Sequence, residues 1–176
     1  LTGDQLKNVE IIRRSGEHLL TLINDILDLS KIEAGKMNLQ NNGFHIPEFI
    51  NTLSEINSIR AQEKGIDFSI VNYDFDRGEE TLDLLLPRIV LSDEKRLRQI
   101  LINLIGNSIK FTDRGSVKLK LGRSPDSPEK GEPLYRFLVE DTGVGISRED
   151  QQKIFDSFHQ VASQTTNSKS EGTGLG

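Results

Sequence analysis

The sequence of 176 residues has no cysteine and no tryptophan. Without cysteine there are no disulfides, no thiolate nucleophile and no sulfur-ligated zinc site. A reducing compartment is compatible with that. No apolar run has the length of a membrane span, about 20 residues. The opening residues, Leu1-Thr2-Gly3-Asp4, lack the basic flank and apolar stretch of a secretion signal. They also lack a starting methionine, and the last residue, Gly176, stands inside a glycine-rich run. The expectation is therefore a fragment of a longer cytoplasmic chain. A membrane anchor elsewhere in the parent would leave no trace here. Positive charge is in deficit: 22 Lys and Arg face 27 Asp and Glu, giving a net charge of -5. Such a surface has no general attraction for nucleic acid or an anionic membrane. Hydrophobic residues at 35% and charged residues at 28% are the composition of a soluble globular chain.

What is present begins with a helix. Thr2 and Gln5 form a candidate capping box. Val9, Ile12, Gly16, Leu19, Ile23 and Ile26 follow a four-three spacing, a heptad seam that Leu20, Leu22, Leu27 and Leu29 widen. Such a face has to be covered by other helices. Gly35 suits the end of this helix, and 41–43 (Asn-Asn-Gly) reads as a hinge. Pro47 opens a second helix, with Phe49, Ile50, Leu53, Ile56 and Ile59 as its expected buried face and Gly65 as its stop. Residues 66–71 alternate like a strand, an acidic loop runs to Glu80, and 89–91 is a short strand. Ser92 or Asp93 caps a third helix that reaches about Thr112. Strands are expected at 117–121 and 135–140, separated by a surface loop with three prolines. Ser147 starts a short helix ending near Phe155. Residues 162–176 are too polar to order by burial and are expected to be mobile without a ligand. The order implies an α+β fold, a mixed sheet covered by helices on one face, preceded by a helical arm.

Three blocks could carry chemistry. On the third helix Gln99, Asn103, Asn107 and Lys110 lie on one stripe of an otherwise apolar, largely buried helix. They could simply bond neighbouring backbone. They could equally serve a nucleotide: a neutral amide oxygen from Asn107 adds a ligand to phosphate-bound magnesium without adding charge, and Lys110 meets phosphate as a point charge. Asp141-Thr142-Gly143-Val144-Gly145-Ile146 follows a strand. An aspartate there can accept a hydrogen bond from an adenine amine, and the glycines let backbone approach a flat base. Gly172-Thr173-Gly174-Leu175-Gly176 could form an anion-binding nest or merely a flexible tail. No Walker-type loop occurs.

In order and spacing these blocks resemble the N, G1 and G2 boxes of the superfamily of histidine kinases, DNA gyrases, heat-shock chaperones and mismatch-repair ATPases. Phe155 and Phe158 resemble its F box. The stretch 103–112 (NLIGNSIKFT) looks like the histidine-kinase version of the N box. The stretch 19–35 (LLTLINDILDLSKIEAG) resembles the second helix of the dimerisation and phosphotransfer domain, especially of hybrid kinases. The resemblance implies a Bergerat-type two-layer sandwich over 44–176 and a dimerisation helix over 1–40. It implies ATP and Mg2+ as cofactors, with Asn107 on the metal and Asn103 beside the phosphates. Lys110 would contact phosphate and Phe111 the ribose. Asp141 would bind the adenine amine, with Gly143, Gly145 and Ile146 lining the base pocket. Gly172, Thr173, Gly174, Leu175 and Gly176 would form the lid, anchored by Phe155 and Phe158. It implies a homodimer and a response-regulator receiver domain as partners.

His18, His45 and His159 lack the family's acceptor context, so the accepting histidine is expected outside this chain. The lid departs from the pattern: Lys169 is its only cation and Glu171 stands where glycine is common, which implies weaker phosphate binding or slower transfer. A degenerate scaffold or a response-regulator phosphatase is the alternative. An ATPase of the topoisomerase kind would place a glutamate near Asn103 to activate water. An amide cannot act as that base. Asn103→Glu is accordingly expected to raise ATP hydrolysis; unchanged phosphate release from a variant that still binds ATP would contradict this.

Overall fold

The computed structural model describes residues 2–83, 86–128 and 131–154. Two compact units divide the chain; residues 39–145 form one, and the other holds the first and last helices described below.

The first helix, α1 (Gly3–Glu33), opens on the capping box: Thr2 Oγ1 accepts from the Gln5 backbone N–H, and Gln5 accepts from the Thr2 N–H. Ala34 ends it, and Gly35 follows with a left-handed φ of 62°. The heptad residues Val9, Ile12, Leu19, Ile23 and Ile26 are exposed.

The second unit has an order set by local chemistry. Strand β1 (Asn42–His45) pairs antiparallel with β4 (Ile89–Ser92), so Asn42 and Gly43 of the expected hinge are ladder residues. Helix α2 (Ile46–Lys64) follows at once, with Pro47 in its first turn and Gly65 as a left-handed C-cap. Its buried stripe is Ile46, Phe49, Leu53, Asn57 and Ala61. Ile59, expected inside, is exposed. The reason is the four-residue spacing of Phe49, Leu53, Asn57 and Ala61, which puts a satisfied amide in the core: Asn57 Nδ2 donates to the Leu53 carbonyl at 2.8 Å.

Strands β2 (Asp67–Asp74), β3 (Glu79–Glu80), β5 (Ser116–Arg123) and β6 (Tyr135–Asp141) make a sheet in the order β3-β2-β5-β6. The central pair β2–β5 is parallel and the outer pairs are antiparallel. Parallel neighbours need a crossover, and helix α3 (Glu94–Phe111) supplies it. Alternation on β5 sorts the two faces: Val117, Leu119 and Leu121 are buried, and Val117 and Leu119 pack in one core with Leu101, Ile105 and Ile109 of α3 and Phe49 and Leu53 of α2. Each such side chain contributes about 1.5–3 kcal/mol by burial. On the opposite face Lys118 pairs with Glu80, and Lys120 bonds Glu140 at 2.9 Å above the Tyr73 ring. The result is a two-layer α+β sandwich. Past β6, Ser147 caps the short helix α4 (Arg148–Gln151).

Two side chains hold the ends of α3. Asp93 accepts backbone N–H bonds from Arg96 and Gln40, both at 3.0 Å. The Gln40 bond first, then that of Arg96, holds its carboxyl below the usual carboxylate range. A lowered folded-state pKa contributes stability above the unfolded value of about 3.9, and that contribution fades as pH falls through the folded value. Asp93→Ala is expected to melt at a lower temperature than the parent at pH 7, with a smaller gap at pH 3. Melts followed by circular dichroism check this, and an equal gap at both pH values would contradict it.

Candidate nucleotide site

The chemistry-bearing stripe lies on the outward side of α3. Asn103, Asn107, Lys110 and Phe111 are exposed, and so are Ile100 and Leu104. The helix is therefore not largely buried as its composition suggests. Leu101, Ile105 and Ile109 are buried, with Leu97 and Ile102 partly buried against the same core, because the sheet covers one side of α3. Gln99 is bonded by Arg96 Nη1 at 3.0 Å. Lys110 Nζ stands 5.1 Å from the centre of the Phe111 ring.

Asp141 is the last residue of β6 and is exposed. Its carboxylate reaches α3: Ser108 Oγ donates to Oδ2 at 2.9 Å, one residue on from Asn107. Its Oδ1 accepts the Gly143 N–H at 3.0 Å, closing a tight turn. The Val144 N–H donates to the Phe111 carbonyl at 3.4 Å. A Cβ on Gly143 would lie 2.6 Å from that carbonyl oxygen and 3.0 Å from Thr112 Oγ1, so no side chain fits there. Gly145 has a φ of 70°. Ile146 is 47% exposed and belongs to the other compact unit. Phe155, Phe158, His159, Lys169, Gly172, Thr173, Gly174, Leu175 and Gly176 lie outside the described residues.

The loop after β6 is held from a second side. Thr142 Oγ1 accepts the Ser116 N–H at 3.0 Å, and the Thr142 N–H donates to the Ser116 carbonyl at 3.1 Å. Gly115, at φ 112°, leaves the space: a Cβ there would lie 2.1 Å from Thr142 Oγ1. At the helix end, Lys64 of α2 donates to the carbonyls of Ile109, at 3.0 Å, and Lys110. It also stands 3.5 Å from Asp113. A cation there satisfies carbonyls that the helix itself leaves open. Sequence reasoning missed Ser108 and Lys64. Their partners lie 33 and 45 or 46 residues away, beyond any local pattern.

Among the described residues no group of three or more His, Asp or Glu could hold a metal ion. The donor set fits magnesium only as an ion arriving with phosphate oxygens and adding one exposed amide oxygen, that of Asn107.

A helix lies on one face of a mixed sheet, with an aspartate at a strand end tied to that helix, and this α+β arrangement matches solved histidine kinase structures. Residues 92–176 match the family described as Histidine kinase-, DNA gyrase B-, and HSP90-like ATPase, and residues 1–35 match the His Kinase A (phospho-acceptor) domain. The chain belongs to the histidine kinases. It is 39% identical over 176 residues to Hybrid signal transduction histidine kinase B of Dictyostelium discoideum, covering 100% of this chain and 8% of that protein. It is 37% identical over 178 residues to the Autoinducer 2 sensor kinase/phosphatase LuxQ of Vibrio cholerae, covering 100% of this chain and 19% of that protein. Among solved structures, full-length ShkA in complex with AMPPNP matches with a TM-score of 0.73 at 34% identity, over 99% of this chain and 32% of that one. The chain thus spans a small part of the relatives it matches.

Gly143→Ala is expected to displace the loop carrying Asp141 from the end of α3 and to weaken ATP binding about tenfold or more, the factor for about 1.4 kcal/mol of misplaced contact. Calorimetric titration of the full chain checks this; parental affinity would show that the loop tolerates the methyl group.

Proposed function

We propose that this chain is the ATP-binding part of a sensor histidine kinase, which transfers the γ-phosphoryl group of ATP to a histidine for relay to an aspartate of a response regulator. The observation that carries the reading is the Ser108–Asp141 bond, which brings the strand end beside the amide stripe of α3. The matches to ATPase and phospho-acceptor families support the same reading from sequence. We take residues 44–176 as the catalytic domain and 1–40 as one helix of the dimerisation domain.

ATP would supply the phosphoryl group, and magnesium bound with it would neutralise charge on the phosphates during transfer. This chain's residues bind and orient. Asp141 would accept the adenine amine, and Gly143 and Gly145 would admit the base to bare backbone. Asn107 would hold the metal through its amide oxygen, and Asn103 and Lys110 would lie beside the phosphates. Phe111 meets the ribose. The family resemblance assigns the lid to Phe158 and Gly172, Thr173, Gly174, Leu175 and Gly176, which lie outside the described residues. No carboxylate occupies the Asn103 position to activate water, which favours transfer over hydrolysis. The exposed apolar seam of α1, including Val9, Ile12, Leu19, Ile23 and Ile26, packs against a second copy in the assembled dimer. None of His18, His45 and His159 is assigned as the acceptor.

Incubating the full parent chain with labelled ATP and magnesium is expected to yield acid-labile, base-stable phosphate on protein, the signature of phosphohistidine. Asn107→Asp, which puts a negative charge beside the phosphates, is expected to abolish the label. Released phosphate without protein label would favour an ATPase, and absence of both would favour a scaffold or phosphatase.

A further inference from the structure

Helical serines and threonines usually turn their hydroxyls back onto the carbonyl four residues earlier. Three here do so: Thr21 to Glu17, Ser30 to Ile26 and Thr52 to Glu48, each at 2.9 Å. Ser108 does not; its hydroxyl crosses to Asp141, 33 residues away. Both oxygens of that carboxylate are then held by donors, Oδ1 by the Gly143 N–H and Oδ2 by Ser108. Each carboxylate oxygen offers two lone pairs. Two donors, one on each oxygen, fix the plane of the group and leave further acceptor capacity on both oxygens. Asp141 is exposed and Ser108 only half-buried, so an incoming base can reach the carboxylate.

We propose that Ser108 is the positioning residue that aims the Asp141 carboxylate, and through it sets the preference of the site for a 6-amino purine over a 6-oxo purine. The inference rests on the nucleotide reading above. A fixed acceptor rewards the donor amine of adenine and repels the acceptor oxygen at the same ring position. Without the serine hydroxyl the carboxylate can rotate. An amine must then bear the cost of ordering it, and a 6-oxo base is less strictly opposed.

The test compares binding of ATP and inosine triphosphate, which differ at the 6-position, to the full chain by calorimetry. Ser108→Ala is expected to weaken ATP about fivefold while inosine triphosphate changes by less than about twofold, so the ratio of the two falls. Alanine is the better helix former, so the variant is expected to fold. Ser108→Thr and Ser108→Val give an independent pair of equal shape: threonine is expected to keep the parental ratio and valine to lose it. A ratio unchanged in Ser108→Ala and Ser108→Val, whether both ligands weaken together or neither does, overturns the proposal. Asp141→Asn separates the two levels. If it weakens ATP while the serine variants keep the ratio, only the role of Ser108 fails. If it leaves ATP affinity at the parental value, the nucleotide assignment fails with it.

Discussion

The site depends on the seating of one short loop against the end of one helix. Residues after β6 touch the carbonyl of Phe111 and the turn at Gly115, with no atom to spare at either. Backbone contacts of this kind do not adjust as side chains do, since there is no rotamer to change. The direction of Asp141 and the height of Asn107 on α3 are therefore not independent quantities. They are two readings of a single geometry, and the buried layer of Val117, Leu119, Ile105 and Ile109 keeps it rigid from beneath. Thr112, at that junction, is fully buried, and its hydroxyl has no partner among the described residues.

The crossover between β2 and β5 explains why the helix stands where it does. A parallel pair cannot be joined by a tight turn, so the chain has to leave the sheet and return. The returning element is α3, and its outward side is free for polar residues because its inward side, Leu101, Ile105 and Ile109 with Leu97 and Ile102 beside them, supplies the core contacts. Apolar residues on that outer side, Ile100 and Leu104, are not part of the core. Fold and chemistry are thus divided between two sides of the same helix.

Much of this was legible in the residues themselves. The capping box at Thr2 and Gln5, the Pro47 start and Gly65 stop of α2, and the cap at Asp93 are local signals with local causes. The two-layer architecture followed from the order of elements. What was misread has physical reasons. Asn42 and Gly43 look like a hinge because their ladder partners, Ser92 and Leu91, are far along the chain. The apolar residues of α3 suggested burial all round, but composition does not say how many sides of a helix have neighbours. Ile59 was counted inside for the same reason, while Asn57 took the interior place by bonding its own helix. Ser108 and Lys64 carried no local mark at all.

Asp93 joins two segments that are distant in the sequence. One carboxylate holds both the Gln40 backbone, where the chain arrives from α1, and the first turn of α3. Residue 40 is thus tied to the root of the helix whose far end bears Asn107 and Lys110. A change at Asp93 therefore reaches two segments at once: residue 40, ahead of β1, and the first turn of a helix of 18 residues.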